Sequence, residues 1–213
     1  MKIIVIGSGG HAKVIIDAIN KSVGNNIIGL IDDFRQKGEM TMNIPVIGKV
    51  VDVKNLTQYS FIIAVGSNHG RFSIYNKLID LGLKYINVIH PSAIIGNEVS
   101  IGDGNFIAAG TVINSGTEIG NHCVINTAAK IDHDNHIQDF VSIAPGVSLA
   151  GNVRVERGSF VGIGSCIIEK KTIGRQTVIG AGSVVTKDVG KFKVAYGVPC
   201  KEVGLRDMRE TFL

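Results

Sequence analysis

From residue 95 to residue 185 every sixth position is a branched aliphatic: Ile95, Ile101, Ile107, Ile113, Ile119, Ile125, Ile131, Ile137, Ile143, Leu149, Val155, Val161, Ile167, Ile173, Ile179 and Val185. A helix repeats at ~3.6 residues and a strand at two, so neither needs this spacing, whereas a coil with three short sides of six residues does. Each aliphatic then points inward and stacks on its counterpart one coil away. Two positions earlier the residue is mostly small or β-branched (Thr111, Thr117, Cys123, Ala129, Val141, Ser159), which suits a tight corner. The run makes about five coils, enough for a solenoid whose units are stable only when stacked. With 27 glycines, 6% aromatic residues and no Trp, the core is built from small branched side chains.

Other classes fall away on composition. The net charge of +4 is not gathered into Lys/Arg blocks, which argues against a nucleic-acid partner. Cys123, Cys166 and Cys200 lack CxxC spacing and read as reduced thiols. His133 and His136 have no further matched ligand set, so no metal is expected. The start, MKIIVIGSGGH, has too short an apolar run for a signal peptide, and no stretch approaches the ~20 apolar residues of a membrane span. The expectation is a cytoplasmic protein with no membrane association.

Ahead of the hexads, KIIVIGSGGHAKVIIDAINKS reads as strand, glycine turn and helix, IIGLIDDF as a second strand and SFIIAVGS as a third. The domains are therefore placed at 1–91, an α/β unit, and 92–213. Gly7, Gly9 and Ala12 satisfy G-x-G-x-x-G/A, and Asp32 and Asp33 follow the next strand where a ribose-binding carboxylate is expected. A dinucleotide crevice needs two mononucleotide halves, however, and only one fits. Gly7, Ser8, Gly9, Gly10 and His11 on the first turn and Gly66, Ser67 and Asn68 on the second (AVGSNHGR) suit one nucleotide, its phosphates at a helix N-terminus. NAD binding stays open as an alternative.

One cluster interrupts the bland coil: Asp132, His133, Asp134 and His136 in KIDHDNH. Such a group is either a solvated corner or chemistry. An amine attacking a thioester must lose a proton, and histidine beside a carboxylate is suited to take it. Both Asp132 and Asp134 could orient His133. His136, His122 and His69 read as surface residues.

The hexads resemble the left-handed parallel β-helix of bacterial hexapeptide acyltransferases, which implies a homotrimer with acyl-CoA between neighbouring coils. The whole order GSGGHAKV, LIDDF, AVGSN, IHPSA, hexads and GVPCK resembles the sialic acid O-acetyltransferase and nucleotide-amino-sugar N-acetyltransferase family. That resemblance implies acetyl-CoA as co-substrate and acetylation of the 4-amino group of a UDP-, dTDP- or GDP-linked dideoxy sugar for a bacterial surface glycan or glycoprotein. O-acetylation of a free sugar such as sialic acid, or a non-catalytic scaffold role, are the rival readings. By motif position it implies His133 as general base, Asp134 as the residue raising its basicity, and the Gly151 N–H as oxyanion donor. Ser142, where many members carry histidine, together with Ile163 and Ala181, is implied to meet acetyl-CoA. Gly180 is expected to admit the pantetheine arm. From Glu169 to Lys201 seven basic residues face two acidic ones, suited to CoA phosphates.

Overall fold

The computed structural model describes residues 1–22 and 24–206. Its first unit is a sheet with helices, in the order β1 (Lys2–Ile6), α1 (Gly10–Asn20), β2 (Asn26–Ile31), β3 (Met40–Thr41), β4 (Ile44–Gly48), β5 (Ser60–Ile63), α2 (Asn68–Leu78) and β6 (Lys84–Tyr85). Across the sheet the order is β3-β4-β2-β1-β5-β6, parallel except for the β3–β4 hairpin. β1 is the central strand, and its unbroken apolar run Ile3–Ile6 is buried, as a strand covered on both faces requires. α1 buries Ala12, Ile15, Ile16 and Ile19, one stripe at helical spacing. The chain reverses its direction across the sheet between β1 and β5, and ligands of open α/β sheets bind outside the carboxyl ends of strands at such a switch point.

The next strand, β7 (Val88–Ile89), pairs with Phe106–Ile107 of the first full coil. The β-helix thus begins a few residues ahead of residue 92. Pairs of strand residues then recur on three faces, each pairing in parallel with the pair 18 residues on, as Phe106–Ile107 does with Val124–Ile125. The first face carries Phe106, Val124, Ser142, Phe160 and Val178; the second Val112, Lys130, Ser148, Cys166 and Val184; the third Glu118, His136, Arg154 and Thr172. The hexad aliphatics from Ile107 to Val185 form one continuous buried column. Corner hydroxyls join the coils: Thr111, Thr117, Ser159 and Ser165 each donate to a carbonyl 15 residues on. An antiparallel hairpin of Lys193–Tyr196 and Lys201–Leu205 closes the far end of the first face.

The sheet unit packs on the first face, where α1 residues share a core with Val88, Phe106, Ala108 and Val124. That docking, which no hexad period encodes, fixes the position of everything that follows.

Candidate active site

The corner between the second and third faces holds the Asp132–Asn135 turn. His133 and Asp134 are both about half exposed, and His133 Nδ1 lies 2.8 Å from Asp134 Oδ2. Asp134 adopts a left-handed conformation, φ +56°, which aspartate tolerates better than most residues and which swings its carboxylate back toward the ring. Gly116, one coil earlier, makes room: a Cβ there would sit 2.5 Å from Asp134 Oδ1. Of the two candidate orienters, Asp134 therefore holds the ring. Asp132 holds the backbone, accepting from His133 N–H and from Asn114 Nδ2, both at 2.9 Å.

Asn135, fully buried, clamps the turn from below. Its amide donates to the carbonyls of Asp132 (2.6 Å) and His133 (3.3 Å), and its oxygen accepts from Val153 N–H. Sequence reading missed it; among the corner positions only Asn105 is also an amide.

With Nδ1 engaged by Asp134, Nε2 is the ring nitrogen left free. It lies over Gly151: a Cβ at that glycine would be 2.6 Å from both Nε2 and Cε1. The inter-coil ladder runs through Ala150 N–H and Asn152 N–H on either side of Gly151. The Asp134 contact, then the charges of Asp132, Asp134 and Glu169, hold the imidazole pKa above its ordinary value. Hydrogen bonds from Asn114 and the His133 N–H lower that of Asp132.

The two glycine turns meet at the β1/β5 switch point. Gly7 has φ +114°, and a Cβ there would lie 2.8 Å from Ala64 O, so only glycine allows the turns to abut. Gly9 and Gly10 face open space, and no side chain caps the α1 N-terminus behind them. Three neighbouring residues are engaged or packed within the chain. Ser8 is buried, and its hydroxyl, expected on a ligand, donates to Asp32 Oδ2 at 2.5 Å. Asp33 accepts from Val50 N–H and so caps the short 3₁₀ turn Val50–Asn55, leaving Asp32 as the carboxylate beside the turn. His11 turns its ring edge-on to Phe106 of the β-helix; burial lowers its pKa to about 4, and its Nε2 is buried without a partner.

On the second turn, Gly66 and Ser67 are partly exposed, with Ser67 Oγ capping α2 through Gly70 N–H. Asn68 is buried instead, donating to Gly158 O and Ser159 O of the coils. Ser142 is 4% exposed beneath it: its hydroxyl donates to Asn68 Oδ1 at 2.5 Å and accepts from Arg71 at 2.9 Å. The sheet unit covers that part of the first face, so within one chain the Ser142 hydroxyl, expected at the thioester, is taken up by Asn68 and Arg71.

His122, expected at the surface, is 3% exposed and stacks on Phe140 at 5.1 Å, with Tyr75 and Tyr85 around it. Burial pushes its pKa down to about 4, so it is neutral at physiological pH. His136 pairs with Glu118 at 2.8 Å on the third face, and His69 is exposed.

Ile163, 56% exposed, and Ala181 stand one above the other on the corner between the first and second faces, joined by Gly182 N–H to Ile163 O. Gly180 does not offer open backbone; a Cβ there would meet Tyr196 Cβ at 2.7 Å, so the C-terminal hairpin fills that space. Cys123 is buried, and its thiol is pushed up to about 12, which makes it inert as a nucleophile.

The first face lies opposite the corner that carries His133. The glycine turns and the His133–Asp134 pair of one chain are therefore separated by a coil of packed aliphatics, roughly 20 Å across at ~3.3 Å per residue and six residues per side.

A parallel β-helix with an exposed histidine–carboxylate pair at a coil corner, carrying a half-Rossmann unit with an open glycine turn, is the architecture of a hexapeptide-repeat transferase with an added α/β unit. Residues 2–78 match the PglD N-terminal domain family. The chain is 26% identical over 184 residues, 84% of its length and 82% of the relative's, to GDP-perosamine N-acetyltransferase of Escherichia coli O157:H7. PerB of Caulobacter crescentus, solved with CoA and GDP-perosamine, superposes with a TM-score of 0.90 at 34% identity, over 96% of this chain and 98% of that one. The acetyltransferase domain of PglB from Neisseria gonorrhoeae, solved with acetyl coenzyme A, gives 0.87 at 33%, covering 95% and 98%. The chain belongs to the nucleotide-amino-sugar N-acetyltransferases built on the left-handed hexapeptide β-helix.

Proposed function

We propose that the chain transfers the acetyl group of acetyl-CoA to the 4-amino group of a nucleoside-diphosphate-linked dideoxy sugar, with His133 as general base. The observation that carries this reading is the ring geometry: Nδ1 tied to Asp134, Nε2 free over Gly151. The sugar amine attacks the thioester carbon and Nε2 takes the proton the amine loses. The negative oxygen so formed is stabilised by the Gly151 N–H. Collapse breaks the C–S bond, and the imidazolium returns the proton to the CoA thiolate. Amide and CoA thiol are the products, and no enzyme nucleophile intervenes.

Acetyl-CoA lies against the Ile163–Ala181 corner, with its phosphates toward the basic C-terminal coils. The nucleotide sits on the Gly9–Gly10 turn, its phosphates at the α1 N-terminus and its ribose near Asp32, with Gly66 and Ser67 on the other side. Because these turns lie across the prism from His133 of the same chain, the sugar reaches His133 of a neighbouring copy, and the assembly is a homotrimer. Its substrates place the enzyme in the cytoplasm.

The test is thiol release from acetyl-CoA with UDP-, dTDP- and GDP-4-amino-4,6-dideoxy sugars and with free sialic acid. Turnover of one nucleotide sugar is expected; turnover of sialic acid alone transfers the case to O-acetylation. Mixed assemblies of His133→Ala and Gly10→Asp subunits, each inactive alone, are expected to regain activity. Mixing without recovery overturns the shared site.

The pH profile is a second check. His133 acts as a base only when neutral, and Asp134 raises its pKa, so kcat/KM falls as pH drops through a value higher than that of a free histidine. Asp134→Asn removes the largest cause of that shift. Its acid limb is expected at lower pH and its plateau reduced; an unmoved limb would assign the limb to another group.

A further inference from the structure

Arg71 is 1% exposed, and each acceptor it bonds is uncharged. Nη1 donates to the carbonyls of Val65 (3.1 Å) and Gly66 (2.8 Å), and Nε to His122 O (3.0 Å). Nη2 donates to Asn68 Oδ1 (3.2 Å) and Ser142 Oγ (2.9 Å), with Phe140 O and Val141 O at the edge of reach. One guanidinium thus joins the turn after β5 to two successive coils, and Asn68 reaches a third through Gly158 O and Ser159 O. Burial lowers its pKa to about 10, and it stays protonated at neutral pH.

Burying an arginine without a counter-ion is costly, and well-packed apolar side chains often hold such a junction as well or better. The junction has that alternative already, in the apolar contact of α1 with Phe106, Ala108 and Val124. What an apolar contact lacks is direction. A planar fork of five donors fixes the carbonyls it bonds. The carbonyls of Val65 and Gly66 belong to the turn that abuts Gly7, and Asn68 and Ser142 extend the same network into the coils.

We propose that Arg71, with Ser142 and Asn68, is a positioning cluster that locks the Gly66–Ser67 turn to the β-helix and thereby sets the affinity for the nucleotide sugar, leaving acetyl-CoA affinity and the chemical step alone. The proposal rests on the reading that this turn holds the nucleotide. Where relatives carry histidine, the small Ser142 leaves Asn68 and Arg71 room to meet on the first face.

The experiment compares full-length wild type, Arg71→Met, Arg71→Lys and Ser142→Ala. Arg71→Met is expected to raise KM for the nucleotide sugar about tenfold, the scale of lost charge-assisted hydrogen bonds. Arg71→Lys, which keeps the charge but not the fork, falls between it and wild type. Ser142→Ala raises the same KM about threefold, as one lost neutral hydrogen bond would. KM for acetyl-CoA and kcat stay within about twofold throughout, since the network touches neither. A lower melting temperature with unchanged KM values, or a joint shift of kcat and both KM values, overturns the proposal. If Arg71→Met does not fold, Ser142→Ala decides, and an unchanged nucleotide-sugar KM overturns it. If wild type turns over no nucleotide sugar, the functional reading has failed, and amide exchange then tests the cluster alone. Exchange at residues 65–70 is expected to accelerate in Ser142→Ala more than at residues 131–137; equal or absent acceleration overturns it.

Discussion

His133→Ala is expected to lower kcat for acetyl transfer by roughly 10²–10⁴-fold, the usual contribution of a positioned general base. The ring is half exposed, and its polar contact is with Asp134, itself half exposed, so it supports little of the fold. Melting temperature and the KM for acetyl-CoA should stay at wild-type values, which separates loss of the base from loss of structure. A variant that keeps more than about a tenth of wild-type kcat at neutral pH would contradict the assigned role, given the size of effect expected of a general base.

Gly151→Ala carries the second large effect. Gly151 does not adopt a left-handed conformation, so alanine suits its backbone, and the conflict is with one group: the new methyl would lie 2.6 Å from Nε2 and Cε1 of His133. The imidazole must swing outward, off both its Asp134 contact and the line to the thioester. A displacement on the order of 1 Å at a reacting group costs about 10²-fold, and that is the fall in kcat expected. Stability should change little, because an exposed side chain yields more easily than backbone. The double variant His133→Ala/Gly151→Ala separates the causes: with no ring to displace, the second substitution should add almost nothing. Full additivity would mean that Gly151 acts independently of His133, through its N–H or through the coil.

The His133–Asp134 pair was legible because it is local. Adjacent residues on one corner turn need only the coil geometry to bring them together, and the hexad period specifies that geometry. Choosing Asp134 over Asp132 took coordinates, since the decision turns on the φ of +56° at Asp134 and the gap above Gly116. Asn135 was hidden for a simpler reason: its clamp is made with backbone carbonyls, which leave no mark in a residue pattern.

The six-residue period by itself determined the β-helix, its aliphatic core and the corner that carries His133, because each is a short-range consequence of where Ile, Val and Leu fall along the chain. Likewise Gly7 and the run before it determined a strand, a turn and an open helix N-terminus. Only the tertiary structure decided which of the three faces the sheet unit covers. That choice buried Ser142, Asn68 and His122, turned His11 toward Phe106, gathered Arg71 onto two coils, and set the Gly9–Gly10 turn across the prism from His133. These contacts join residues some 50 to 90 positions apart and follow no period, and their energy comes from shape and donor geometry at a single interface.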